Sequence, residues 1–295
     1  MSARHLGLLA LGVVAVSFSA IFIRLADAPP LSVAFYRNAI AAALLLPLAL
    51  TRHREELRKL SRGQWAMAAL AGTLLASHFA LWIPSLSYTS VAASTVLVTT
   101  QPVWVALLGR LALGEAVSTR ARTGIALSLV GAVLISGGDF GASSRAAFGD
   151  ALALLGAIAA AGYFLSGRNL RRRLSLLPYV GIAYTTCAVL LAGAMVVAGA
   201  PFAGFEPKVW LLFLSIALVP QILGHTVFNY LLAHVEAAVV AIAVTGEPVG
   251  ASLLALAFFA EIPRWTALAG GALILAGIYV TFASQARRAV EATIE

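Results

Sequence analysis

A chain of 295 residues that is 61% hydrophobic and 11% charged, with a mean hydropathy of +0.95, is too apolar for a water-soluble domain, where about a quarter of residues carry charge. Its formal charge of +8 does not point to nucleic acid, because the lysines and arginines fall in short loops between apolar runs, where they set helix orientation. One cysteine, Cys187, excludes an internal disulfide and a CxxC or metal cluster, and its apolar setting suits inert packing.

Ten apolar runs follow one another, each long enough to cross a hydrocarbon layer of about 30 Å: 5–25, 32–50, 65–86, 90–110, 119–137, 148–168, 176–199, 209–231, 236–260 and 265–284. The expected fold is an all-α integral membrane protein with ten transmembrane helices and no room for a soluble domain. The first run, after MSARH, has the outline of a signal peptide, but its length and its later counterpart favour a retained helix. In the second, Arg37 lies about five residues inside the apolar stretch and either snorkels to the surface or meets an anionic group.

The third run, SHFALWIPSLSY, puts His78 and Trp82 four residues apart and so on one helix face. They either line a pathway or pack, and Pro84 is expected to bend the helix near its outer end. In the fourth run Gln101 precedes Pro102. The sixth offers Tyr163 and Ser166 as weaker cavity candidates. The eighth, PQILGHTVFNY, carries Gln221, His225 and Asn229 at spacings of four, one stripe of a membrane helix that should face a cavity or another helix and not lipid. Pro220 is expected to kink it. His225 has no second His, Cys or carboxylate at ligand spacing, so no metal is expected.

The ninth run holds AVTGEP, where Glu247 lies almost at mid-depth and Pro248 follows. An intramembrane acid is expensive unless it faces protein, water or a partner. Glu247 is either a substrate ligand or proton carrier, or an acid that braces the kink at Pro248. As prolines, Pro102 and Pro248 cannot donate to the carbonyls of Val98 and Val244.

Assigning the N-terminus to the cytoplasm puts fifteen basic residues inside, clustered at Arg52–Arg62 and Arg168–Arg173, and five outside: Arg24, Arg37, Arg145, Lys208 and Arg264. Both termini are then expected in the cytoplasm.

Sliding the sequence along itself by 146 positions aligns 90–135 with 236–281 without gaps, and fourteen of the 46 pairs are identical. They include Val98/Val244, Thr99/Thr245, Pro102/Pro248, Glu115/Glu261, Gly124/Gly270 and Gly131/Gly277, while Gln101 aligns with Glu247. The earlier helices of each half match far more weakly. The expected organisation is two five-helix units, 1–139 and 140–295, joined near Gly137–Arg145. Five is odd, so the second unit must be inverted, a recurring plan of secondary transporters with a site near the midplane. The seven-residue glycine spacings offer smooth faces for close helix contact. Glu115 and Glu261 fall near the interface and read as architecture.

SLSYTSVAASTVLVTTQPVWVALLGRLALGE, with its Gly-spaced helix, and the second copy EAAVVAIAVTGEPVGASLLALAFFAE resemble the EamA domain of the drug/metabolite transporter superfamily. The resemblance covers essentially the whole chain. It implies a ten-helix carrier of small metabolites, similar to bacterial amino-acid exporters, in a bacterial inner membrane, with a small-molecule substrate, lipid contacts, no cofactor and no need of a second subunit.

Rival readings have less behind them. A membrane enzyme would need paired acids or a nucleophile set. Of twelve acidic residues only Glu247 is mid-membrane, and no HExxH, Gly-rich phosphate loop or Ser-His-Asp spacing occurs. A channel would need charge rings or a repeated carbonyl filter. A scaffold would need no internal cavity.

Overall fold

The computed structural model describes residues 2–89, 91–113, 118–136, 143–260 and 265–294, and among them every regular element is helical. Helix α1 (Ala3–Ala26) begins at Ser2, whose hydroxyl accepts the His5 N–H at 3.4 Å, and stops at Asp27 in the left-handed conformation. Pro30 opens α2 (Pro30–Arg52), where its missing N–H has no helical partner to lose. The short α3 (Arg54–Lys59) leads to α4 (Arg62–Ser85), started by a reciprocal capping box between Ser61 and Gln64. Pro84 is the penultimate residue of α4, so it closes the helix where a bend was expected.

The fourth run is divided into α5 (Val91–Val98) and α6 (Gln101–Leu113), followed by α7 (Thr119–Ser136) and α8 (Ser144–Arg171). Helix α9 (Leu176–Ala198) ends at Gly199, whose φ of 65° suits glycine. Helix α10 (Pro207–Ile216) continues through a π-helical stretch, Ala217–Thr226, into α11 (Val227–Leu231). The ninth run is again divided, into α12 (Ala237–Val244) and α13 (Glu247–Phe259), before α14 (Trp265–Ile294). Glu115, Glu261, Arg264 and residues 137–142 of the expected junction lie outside the described residues.

Among the described residues seven helical stretches are long and apolar enough to cross a membrane: Ala3–Ala26, Pro30–Arg52, Arg62–Ser85, Ser144–Arg171, Leu176–Ala198, Pro207–Leu231 and Ala237–Phe259, with Leu268–Val280 a shorter apolar helix. Val197 is 90% exposed and Leu111 73%, an apolar exterior that suits lipid as the solvent. This is a multi-pass membrane protein.

Helix α4 lies against α8 and α9, α2 against α9, and α1 against the π stretch and α13. Helices α7 and α14 pack along each other at a distance that glycine sets. A Cβ on Gly131 would stand 2.4 Å from the Gly270 carbonyl oxygen, and one on Gly277 2.6 Å from that of Gly124. The glycine faces legible in the sequence therefore meet each other.

Candidate substrate cavity

Two helix breaks build the site. Helix α5 ends at Val98, Thr99 and Thr100 turn, and α6 restarts at Gln101; α12 ends at Val244, Thr245 and Gly246 turn, and α13 restarts at Glu247. The expected kink within a continuous helix is thus a full break. Pro102 and Pro248 occupy the first turns of new helices, where no intrahelical donor is missed. Hydroxyls take up carbonyls at the ends of the old ones: Thr100 Oγ1 donates to Leu97 O and Thr245 Oγ1 to Ile242 O, each at 2.6 Å. Gln101 and Glu247 are left at the heads of two helices, both buried.

Both residues line an internal cavity that also takes in Arg37, His78, Trp82, Tyr163 and His225, with Ser19 and Thr99 among its other polar groups. Its volume is about 30 Å³, room for water and not for a metabolite. His78 Nδ1 donates to the Gly156 carbonyl at 3.0 Å; since a carbonyl only accepts, the proton is on Nδ1. The His78 ring stacks on Trp82, centroids 5.7 Å apart and 10° from parallel. Tyr163 is held through its hydroxyl, which accepts from Asn229 Nδ2 at 2.5 Å.

Gln221 and Asn229 do not line this cavity. Gln221 Oε1 accepts from Arg37 Nε at 2.5 Å and its Nε2 donates to Asn38 Oδ1 at 3.2 Å. Asn229 Nδ2 also donates to Tyr184 OH at 3.3 Å. The stripe expected of Gln221, His225 and Asn229 assumed an unbroken α-helix. Around Pro220 the chain widens to π geometry instead, and Thr226 Oγ1 reaches back to Gln221 O at 3.2 Å. His225 faces the cavity while its two neighbours become supports behind it.

Arg37 corrects a second expectation. It does not snorkel: it is 1% exposed, its Nη1 donates to Ser19 Oγ at 2.8 Å, and its guanidinium lies 4.4 Å from the centroid of Phe79. Its partner Gln221 is 184 positions away, so no local pattern could have revealed the pairing. Ser19, Asn38 and Tyr184 were missed for the same reason.

Three polar atoms of cavity residues are buried without a partner among the described residues: Trp82 Nε1, Gln101 Nε2 and His225 Nδ1. Each such atom costs roughly 1–3 kcal/mol when nothing bonds it, so three around one space mark it as a place where something polar binds. Among the described residues no three His, Cys, Asp or Glu side chains converge as a metal would require.

The EamA-like transporter family model matches residues 4–137 and again 147–283. An uncharacterized transporter of Archaeoglobus fulgidus is 31% identical over 280 residues, which cover 91% of this chain and 93% of that protein. A protein of known crystal structure superposes with a TM-score of 0.80 over 97% of this chain and 99% of its own, at 17% identity, and so shares the fold. Two matches that together span nearly the whole length, on a bundle of apolar helices around a cavity that takes in Arg37 and Glu247, lead to one assignment: the chain belongs to the EamA-like transporter family.

Proposed function

We propose that this transporter is a secondary carrier that exports small metabolites, amino acids above all, by alternating access around the cavity of Glu247, His225 and Trp82. In this reading ten helices form two inverted units, 1–139 and 140–295, and the units rock about the cavity. The contact pattern supports it. Exchanging the halves turns α4–α8 into the π stretch with α1, α6–α8 into α13–α1, and α4–α9 into the π stretch with α2, and all six contacts occur. The cavity draws on both halves, with Trp82 and Gln101 from one and His225 and Glu247 from the other.

The observation that carries the reading is the convergence of three partnerless polar atoms with an acid in one cavity. Donors at Trp82 and Gln101 suit carboxylate or carbonyl oxygens, and Glu247 suits an ammonium group. A ligand pocket usually measures ~300 Å³ or more, so at about 30 Å³ this conformation is closed, and rocking must open it to either side. The chain carries no nucleotide-binding motif, which leaves facilitated diffusion, exchange or proton coupling as the drive.

The test is flux from proteoliposomes loaded with a panel of amino acids. Saturable efflux of some of them, reduced at least several-fold by His225→Ala or Trp82→Phe in folded protein, is the expected result. Flux that does not saturate would instead identify a channel, and an inert panel would remove amino acids as the substrate class.

A further inference from the structure

Arg37 places a cation inside a membrane span, and the side chains in direct contact with it are neutral. Its Nε is fixed by Gln221 and its Nη1 by Ser19, and its face is covered by Phe79. Those two bonds use two of the five N–H groups of a guanidinium. Among the described residues no carboxylate pairs with it within 4 Å, yet it lines the same cavity as Glu247. Gln221 is itself held by Asn38, which bonds back to the Ala34 carbonyl at 2.9 Å. The guanidinium is therefore aimed by a chain of buried bonds and not neutralised by it. A buried charge without a counter-ion bonded to it is destabilising, and intramembrane charges are kept where they meet a substrate or another charge.

We propose that Arg37 is the carboxylate anchor of the transported substrate, its free N–H edge receiving a carboxylate while Glu247 receives the ammonium group of the same molecule. The inference rests on reading the cavity as the transport site, and it narrows the substrate to zwitterions with both groups on a short backbone. Guanidinium suits this role because its planar fork bonds carboxylate oxygens in pairs, which an ammonium group does not. A bound zwitterion would supply each buried charge with its opposite, so the loaded site has no unpaired ion when the units rock. The side chain of the substrate is left facing Leu75, Phe164 and Phe228, a wall that takes apolar and aromatic groups.

The experiment compares three compounds with one side chain: an amino acid, its primary amide and the amine that lacks the carboxyl group. Each is offered to proteoliposomes containing wild-type protein, Arg37→Gln or Arg37→Lys. Wild type is expected to move the amino acid at least about tenfold better than the amide or the amine, since a site built to bond one group rejects analogues without it. In Arg37→Gln that preference should collapse to about twofold or less, with flux of the amine retained. Arg37→Lys should keep a weakened preference, because charge remains and the fork is lost. A wild type that moves all three equally overturns the anchor while leaving a carrier of amines in place. So does a preference undiminished in folded Arg37→Gln. If wild type moves none of the three, the anchor and the amino-acid reading fall together. A wild type without the preference overturns the anchor even where the variants do not fold, and a preference that Arg37→Lys weakens supports it where Arg37→Gln does not fold.

Discussion

Glu247 is the first residue of α13 and lines the cavity, and its counterpart in the first half is Gln101, the first residue of α6. That pairing defines what replacement should do. A carboxylate at a helix N-terminus is favoured by the partial positive charge there, but glutamine fills the same structural place before Pro102, so a neutral amide is compatible with the break. Glu247→Gln should therefore fold and express normally. Flux of an amine-bearing substrate should fall at least about tenfold, as one charge-assisted bond is lost, and the dependence of flux on pH should flatten. Liposome flux of one substrate at two pH values, beside wild type, measures both. If flux and its pH response are unchanged, Glu247 only braces the break.

At the scale of the elements, two contacts make separable predictions. On α7, a Cβ at Gly131 would meet the backbone of α14 first, 2.4 Å from Gly270 O and 2.9 Å from Ile274 N, with the Ile274 side chain at 3.0 Å. Gly131→Ala should lose roughly 1–3 kcal/mol through overpacking, visible as a lower melting temperature in detergent. Gly193 has nothing within 4 Å of its Cβ position, so Gly193→Ala in α9 should be neutral or stabilising by up to ~1 kcal/mol from helix propensity. The second contact ties α3 to the head of α9. Glu56 accepts the Ser175 N–H at 2.7 Å and faces His53 Nδ1 at 3.0 Å. Partial burial alone would raise its pKa, but the Ser175 and His53 bonds outweigh it and hold the carboxyl below its usual range. Because the folded value is depressed, this contact stabilises above the ordinary carboxylate pKa of about 4.3 and fades as pH falls through the folded value. Melting temperature should therefore drop more between neutral and about pH 3 in wild type than in Glu56→Gln. Equal drops would exclude the contact as a pH-dependent tie.

The whole molecule raises the question of orientation. Arg52–Arg62 and Arg168–Arg173 flank the two ends of the Glu56–Ser175 contact, so one membrane face carries both basic clusters, as the charge distribution requires. With that face in the cytoplasm, single cysteines at Arg54 and Arg172 should be labelled by a membrane-impermeant thiol reagent only after the cells are opened. Cys187 is fully buried, so background labelling should be negligible. Labelling of both positions in intact cells would reverse the orientation, and labelling of one alone would overturn the inverted arrangement of the halves.

Hydropathy, the 146-residue repeat and the glycine spacing of α7 and α14 were legible in the sequence because they are local or periodic, and a bilayer imposes the long apolar runs on any helical chain that crosses it. The same holds for His78 with Trp82, and for Gln101 and Glu247 before their prolines. The eighth run was misread in part. A spacing of four places residues on one stripe only while the helix stays α, and nothing in PQILGHTVFNY announces that Pro220 sits inside a π stretch. For Arg37 the sequence left two readings open, the surface or an anionic group, and could not choose between them. Whether a basic residue near a helix end snorkels or stays inside is decided by partners in three dimensions, here Ser19, Phe79 and Gln221 from three other helices. Sequence determined that long apolar segments cross the membrane and that a proline interrupts two of them, since lipid acts on each segment alone. Tertiary structure decided which polar groups satisfy one another and which remain open to a substrate, because hydrogen bonding is a property of pairs.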